Sequence, residues 1–340
     1  MIFYLNILIF LIILFFYIHI VHQYKRSEDL EIYEMDYSNN EHLQEVCEVK
    51  QPVLFDYRSV NPEFFEKLNY DTISEPKYGN SDIKVKDIND YWESDEAVDY
   101  IVLPFQTGTN LMRTDPKSKY FTENNQDFLE DTGLLKTLRA CDMDIKSNMT
   151  AVSKYDICTA SKDTVTPLRY HLYNRHFICV NTGKIRVKMS PWKSTKYLYQ
   201  NRDFENFEFR SPINVWKPQK KYMHEMDKIK FLEFEVVEGH MLFIPPYWWY
   251  SIKYTSDTDS LVCGFTYSSV MNCVSNSPEL MKYYIQQTNI KKRMTKVLEI
   301  QETTETKKEE VLDESKENTL QNTLDKKEAP TVKQLQDIIS

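Results

Sequence analysis

The stretch 239–254, GHMLFIPPYWWYSIKY, limits what this chain can fold into more than any other. Residues 241–244 form a short apolar run that predicts a buried strand. Pro245-Pro246 ends it, because neither residue can donate to a sheet ladder. Trp248, Trp249 and Tyr250 follow, and 251–254 alternates polar and apolar side chains as a half-buried strand does.

The same short-strand texture recurs at 155–159, 177–180, 185–189, 231–237 and 261–267, with turns at Asn181-Thr182-Gly183 and Ser190-Pro191. Several short strands without helices between them predict a sandwich or jelly roll. The charged, aromatic segment 202–226 is expected to be an insertion between strands. Upstream, 51–55 is a strand candidate, and Asn61-Pro62-Glu63 opens a helix, with asparagine as cap and proline in the first turn. Residues 121–133 predict a capped helix ending at Gly133, and no chemistry is expected before residue 150. Downstream, 276–298 predicts a helix with an apolar stripe that includes Leu280, Tyr283, Tyr284 and Ile290. Residues 299–340 have the charged, aromatic-free composition of a disordered tail.

Residues 2–21 carry no Asp, Glu, Lys or Arg, and a helix of that length rises about 30 Å, enough to cross a bilayer core. A basic start and a small-residue cleavage site are both missing, so 1–22 is expected to be an uncleaved transmembrane anchor. Lys25 and Arg26 follow it, which places the bulk of the chain on the cytosolic side. Glycosylation of the sequon Asn148-Met149-Thr150 would argue the reverse. The acidic segment 23–45 is expected to be a tether leading to a domain at 46–275.

With 51 acidic against 42 basic residues the chain has a net charge of -9, which speaks against nucleic acid as a partner. Six scattered cysteines without a C-x-x-C pair are expected to be buried reduced thiols, not a disulfide framework or zinc site.

The 239–254 stretch resembles the second metal-ligand segment of the cupin-like and JmjC-like hydroxylases, and 165–171, VTPLRYH, resembles the first. The lead-in strand and helix near Asn61 and the Ser211-Pro212 loop also fit that family. The resemblance implies a mainly β fold with flanking helices: a double-stranded β-helix, or jelly roll, preceded here by the transmembrane helix. The family uses Fe(II) and 2-oxoglutarate, the metal being held by two histidines and a carboxylate. Carried over position by position, the former metal ligands are Arg169, His171 and Tyr250. Thr166 matches a residue that helps hold the cosubstrate. The family's basic partner follows the glycine turn, where Lys184, Ile185 or Arg186 could stand, since a one-residue slip reverses the face. Thr166, Lys184 and Trp248 are thus the expected anion pocket.

All three ligand positions differ from the family pattern, and the differences have chemical consequences. Arginine stays protonated and cannot ligate a metal. Tyrosine binds as phenolate only at the cost of ionising a group whose ordinary pKa is near 10. His171 alone is a competent neutral ligand, and His176, His224, Glu238 and His240 have no spacing that restores a triad on one strand face. Two readings of Arg169 follow: a buried bridge to a carboxylate, or, with Lys184 and Thr166, a receptor for a small dicarboxylate. The sequence therefore predicts a membrane-anchored domain that has lost its iron chemistry, uses no cofactor, and binds or scaffolds proteins through the old groove, the C-terminal helix or the tail. An active hydroxylase with a rearranged metal centre and a structural membrane protein of a virion or organelle are the alternatives.

Overall fold

The computed structural model describes residues 2–93, 98–257 and 259–289. The expected tail at 299–340 and the end of the C-terminal helix lie outside the described residues.

Side-chain alternation sets the layers. Trp248, Tyr250, Ile252 and Tyr254 enter one apolar cluster, while Trp249 enters another on the opposite face of its sheet. Eight strands make the jelly roll: Thr150–Cys158, Arg169–Tyr170, Arg175–Thr182, Lys184–Ser190, Leu232–Val237, His240–Phe243, Trp249–Tyr254 and Leu261–Ser269. Counted in that order, one sheet runs six-three-eight-one and the other two-seven-four-five, every neighbour antiparallel. Apart from the fourth and fifth, which pair with each other, consecutive strands thus cross between sheets, as in a double-stranded β-helix. Ile178, Val180, Ile185, Val187, Met189 and Leu242 fill the space between the sheets.

The outer face of the first sheet is covered by the N-terminal helices. Phe55, Phe64, Leu129 and Leu138 share one core with Phe177, Cys179, Phe243 and Phe265. Helix Pro62–Lys67 begins as expected, with the Asn61 side chain accepting from Phe64 N at 3.1 Å. A third sheet orders Ile101–Pro104, Asp82–Asp87 and Tyr120–Thr122. Thr122 N donates to Thr159 O at 2.8 Å, tying this sheet to the end of the first jelly-roll strand. All six cysteines are free, four of them buried.

Three expectations are corrected here. Segment 23–45 is not a loose tether: Tyr33–Glu34 pairs in parallel with Val53–Asp56, Met35 is buried, and Leu30 and Ile32 pack against the interior cluster. Its apolar residues at alternate positions are held by that edge strand. Segment 121–133 is not a single helix: Phe121 belongs to a strand, and the helix is Gln126–Asp131, ending before Gly133 at φ +74°. Segment 202–226 is not only an insertion, because Glu208–Arg210 extends the second sheet beside Arg169–Tyr170.

Helix Ile2–Gln23 is long and apolar enough to cross a membrane and is unburied over its apolar span. It meets the domain at its C-terminal end. The Tyr24 hydroxyl donates to Ser275 O, and the Arg26 guanidinium rests 4.2 Å from the ring centres of both Trp192 and Tyr247.

A candidate site built around Arg169

Sheet register puts Arg169 between Tyr250 and Arg210, each its direct cross-strand partner. A row of two arginines and a tyrosine inside a protein needs negative charge close by. Glu123 and Glu208 supply it. Arg169 Nη2 lies 2.6 Å from Glu123 Oε2, and Nη1 lies 3.2 Å from Glu208 Oε1. Glu123 also meets Lys86 Nζ at 2.9 Å, and Lys86 donates to the Tyr91 hydroxyl at 2.8 Å. Arg210 Nη1 stands 3.7 Å from both Asp203 and Glu208. Lys86, Arg169 and Arg210 face Glu123, Glu208 and Asp203, so the formal charges cancel.

Burial alone would raise the Glu123 carboxyl, but Arg169 and Lys86 outweigh it and hold the group well below the usual carboxylate range. For Lys86 burial favours the neutral amine, yet Glu123, Tyr91 and Glu208 keep it protonated far above its ordinary range. Burial pushes the Tyr250 phenol up to about 12, against the pull of Arg169. Glu123 and Lys86 are therefore held in their charged forms and Tyr250 in its neutral form. That arrangement agrees with the buried-bridge reading of Arg169.

His171 directly follows strand Arg169–Tyr170 and is 6% exposed, and its Nε2 lies 3.1 Å from Ile244 O. Burial drives its pKa down to about 3, so the ring is neutral. His176 stands beside it, ring centres 4.8 Å apart, with Tyr250 6.0 Å from His176. Burial, then His171 and Arg169, hold His176 neutral as well. Spacing along the chain hid this cluster because its three rings come from different segments. Among the described residues no group of three His, Cys, Asp or Glu side chains is placed to hold a metal ion.

The expected anion pocket is not assembled around Arg169. The Thr166 hydroxyl accepts from Ile252 N at 2.9 Å, a sheet-edge bond that uses it locally. Ile185 and Val187 point inward, which turns Lys184 and Arg186 to the outside, and Lys184 Nζ lies 3.4 Å from Glu235 on the neighbouring strand. Trp248 is fully buried, and its Nε1 donates to Lys50 O at 3.1 Å. Arg169 itself is taken up by Glu123 and Glu208, so a dicarboxylate would have to displace them.

The network residues Lys86, Tyr91 and Glu123 also correct the expectation that no chemistry precedes residue 150. Nothing in sequence spacing marks them, since each stands among other polar residues and reads as part of a solvated segment.

Residues 109–272 match the family described as the cupin-like domain. The chain is also 28% identical over 100 residues, 29% of its length, to JmjC domain-containing protein D of Dictyostelium discoideum. That alignment spans 22% of the relative, so the relative is mostly sequence this chain does not match. The matched segment contains all eight jelly-roll strands and the whole Arg169–Tyr250 row. Fold and matches together support a cupin/JmjC-like protein, at low identity.

Proposed function

We propose that the protein is a membrane-anchored cupin/JmjC-like domain that works by binding or scaffolding and not by iron-dependent hydroxylation. The observation that carries this reading is the ion pair between Arg169 and Glu123 at 2.6 Å, standing where the family resemblance implies a metal ligand. A guanidinium cannot donate a lone pair, and its fixed charge repels a divalent cation in a poorly solvated interior. Tyr250 is held as a neutral phenol, which leaves His171 as the one ready donor among the three former ligand positions. These residues do not fit Fe(II) with 2-oxoglutarate. Helix Ile2–Gln23 supplies the anchor, and Lys25 and Arg26 favour a cytosolic domain. Partners are then proteins met on the outer surface of the domain.

A rearranged metal centre is the second reading, favoured by the approach of His171, His176 and Tyr250. One experiment separates the two. The full chain in detergent is titrated anaerobically with Fe(II), with and without 2-oxoglutarate, while its thermal unfolding is followed. A native-state ligand at 100 times its Kd adds about 2.7 kcal/mol, an easily seen rise. No rise is expected. A rise that disappears in His171→Ala would establish the rearranged centre instead.

A further inference from the structure

Helix Ser277–Asn289 has two unlike faces. One packs on the domain: Tyr283 meets Phe207 edge-on at 5.4 Å, and Gln287 Nε2 donates to Glu205 O at 2.7 Å. The other presents Leu280, Met281, Tyr284 and Ile285 at helical spacing, and the last three are 64%, 63% and 54% exposed. A contiguous apolar strip left bare marks a surface that meets something other than water.

Its neighbours indicate what covers it. The helix follows directly on Val270–Ser275, and Ile2–Gln23 rests on that short helix. His19 and Ile20, near the end of the apolar span, are half-buried there, and Tyr24 is bonded to Ser275 O. The bare strip thus begins where the span joins the domain. The sequence that follows the helix adds Lys291, Lys292, Arg293 and Lys296. An apolar helical strip followed in sequence by a run of cations has the composition of a segment that lies in an anionic headgroup layer.

We propose that Ser277–Asn289 lies flat in the interfacial layer of a bilayer rich in anionic lipid, with Met281, Tyr284 and Ile285 among the upper acyl chains. This rests on the anchoring reading given above, because the adjacent span is what brings the helix to that depth. The test reconstitutes the full chain in vesicles of phosphatidylcholine and phosphatidylserine that carry a trace of lipid with an acyl-chain diazirine. After illumination, lipid adducts are mapped by mass spectrometry of peptides. Adducts are expected on 277–289 as well as on 2–23. In Met281→Glu/Ile285→Glu the adducts on 277–289 should be lost while those on 2–23 and the thermal transition persist. Adducts on 2–23 alone, or a strip that cross-links to a second copy in place of lipid, would overturn the proposal. Absence of adducts on 2–23 defeats the anchoring reading by itself. Adducts on 277–289 would in that case still support the interfacial helix, and their absence would defeat both.

Discussion

Arg169 and Glu123 lie 46 positions apart and meet at 2.6 Å, with 17% and 6% of their side chains exposed. Removing one partner leaves a buried charge without its counter-ion, which costs about 3–5 kcal/mol. Arg169→Ala is therefore expected to lower the unfolding free energy by about that amount, measured by urea denaturation of the full chain in detergent. Replacing both partners, as in Arg169→Met with Glu123→Leu, should recover most of the loss, because Lys86 still has Glu208 4.0 Å away. A double variant no better than Arg169→Ala would show that the pair does more than balance charge.

Stability should also depend on pH through His171. Its folded pKa is depressed from 6.5 to about 3, so folding favours the neutral ring. The resulting contribution is present above the ordinary pKa and is lost as pH falls toward the folded value. Between those limits one excluded proton gives a slope of about 1.4 kcal/mol per pH unit. His171→Asn, which keeps a donor for Ile244 O, should reduce the slope between about pH 6 and 4 by that amount. An unchanged slope would mean that His171 is not the group being protected. His176 is depressed for the same reason and sustains the slope that remains.

Gly183 turns between two jelly-roll strands at φ +83°, and a Cβ there would collide with Ser256 Oγ. Gly183→Ala should cost more than the ~1–2 kcal/mol of the left-handed conformation alone. The collision displaces a hydroxyl that accepts from Lys184 N at 2.6 Å. Thermal denaturation read against the parent chain checks it.

Arg26 is expected to matter for the domain as well as for membrane orientation. A desolvated cation over an aromatic face is worth up to about 2 kcal/mol, and Arg26 touches two such rings. Arg26→Ala should lower stability by about 1–2 kcal/mol, and Arg26→Lys should recover only part of it. Equal stability of all three proteins in detergent would count against the contact.

Much of the jelly roll was legible because alternation and double-proline punctuation are local signals. Trp248 and Tyr250 fall on one face and Trp249 on the other simply by the two-residue period of a strand. Arg169, His171 and Tyr250 were singled out through a motif, and of the two readings of Arg169 the buried bridge agrees with its ion pairs to Glu123 and Glu208. Its partners were not singled out. Glu208 lies in a strand whose pairing with the second sheet is set by long-range register, Glu123 directly follows a strand of the third sheet, and a lone glutamate looks the same in sequence whether solvated or buried. The anion pocket failed for a related reason: strand register turned Lys184 outward, and only the pairing of Ile185 with Tyr254 fixes that choice. Segment 23–45 was misread because acidic composition outweighed the quieter signal of Leu30 and Ile32 at alternate positions.

The contacts of Tyr24 and Arg26 come within three residues of the end of helix Ile2–Gln23. These contacts pin the end of the helix to the jelly roll, so a turn of the helix that keeps them carries the adjoining sheet with it. A protein jointed in this way holds its surfaces at a set height and bearing, where a free linker would let them sweep.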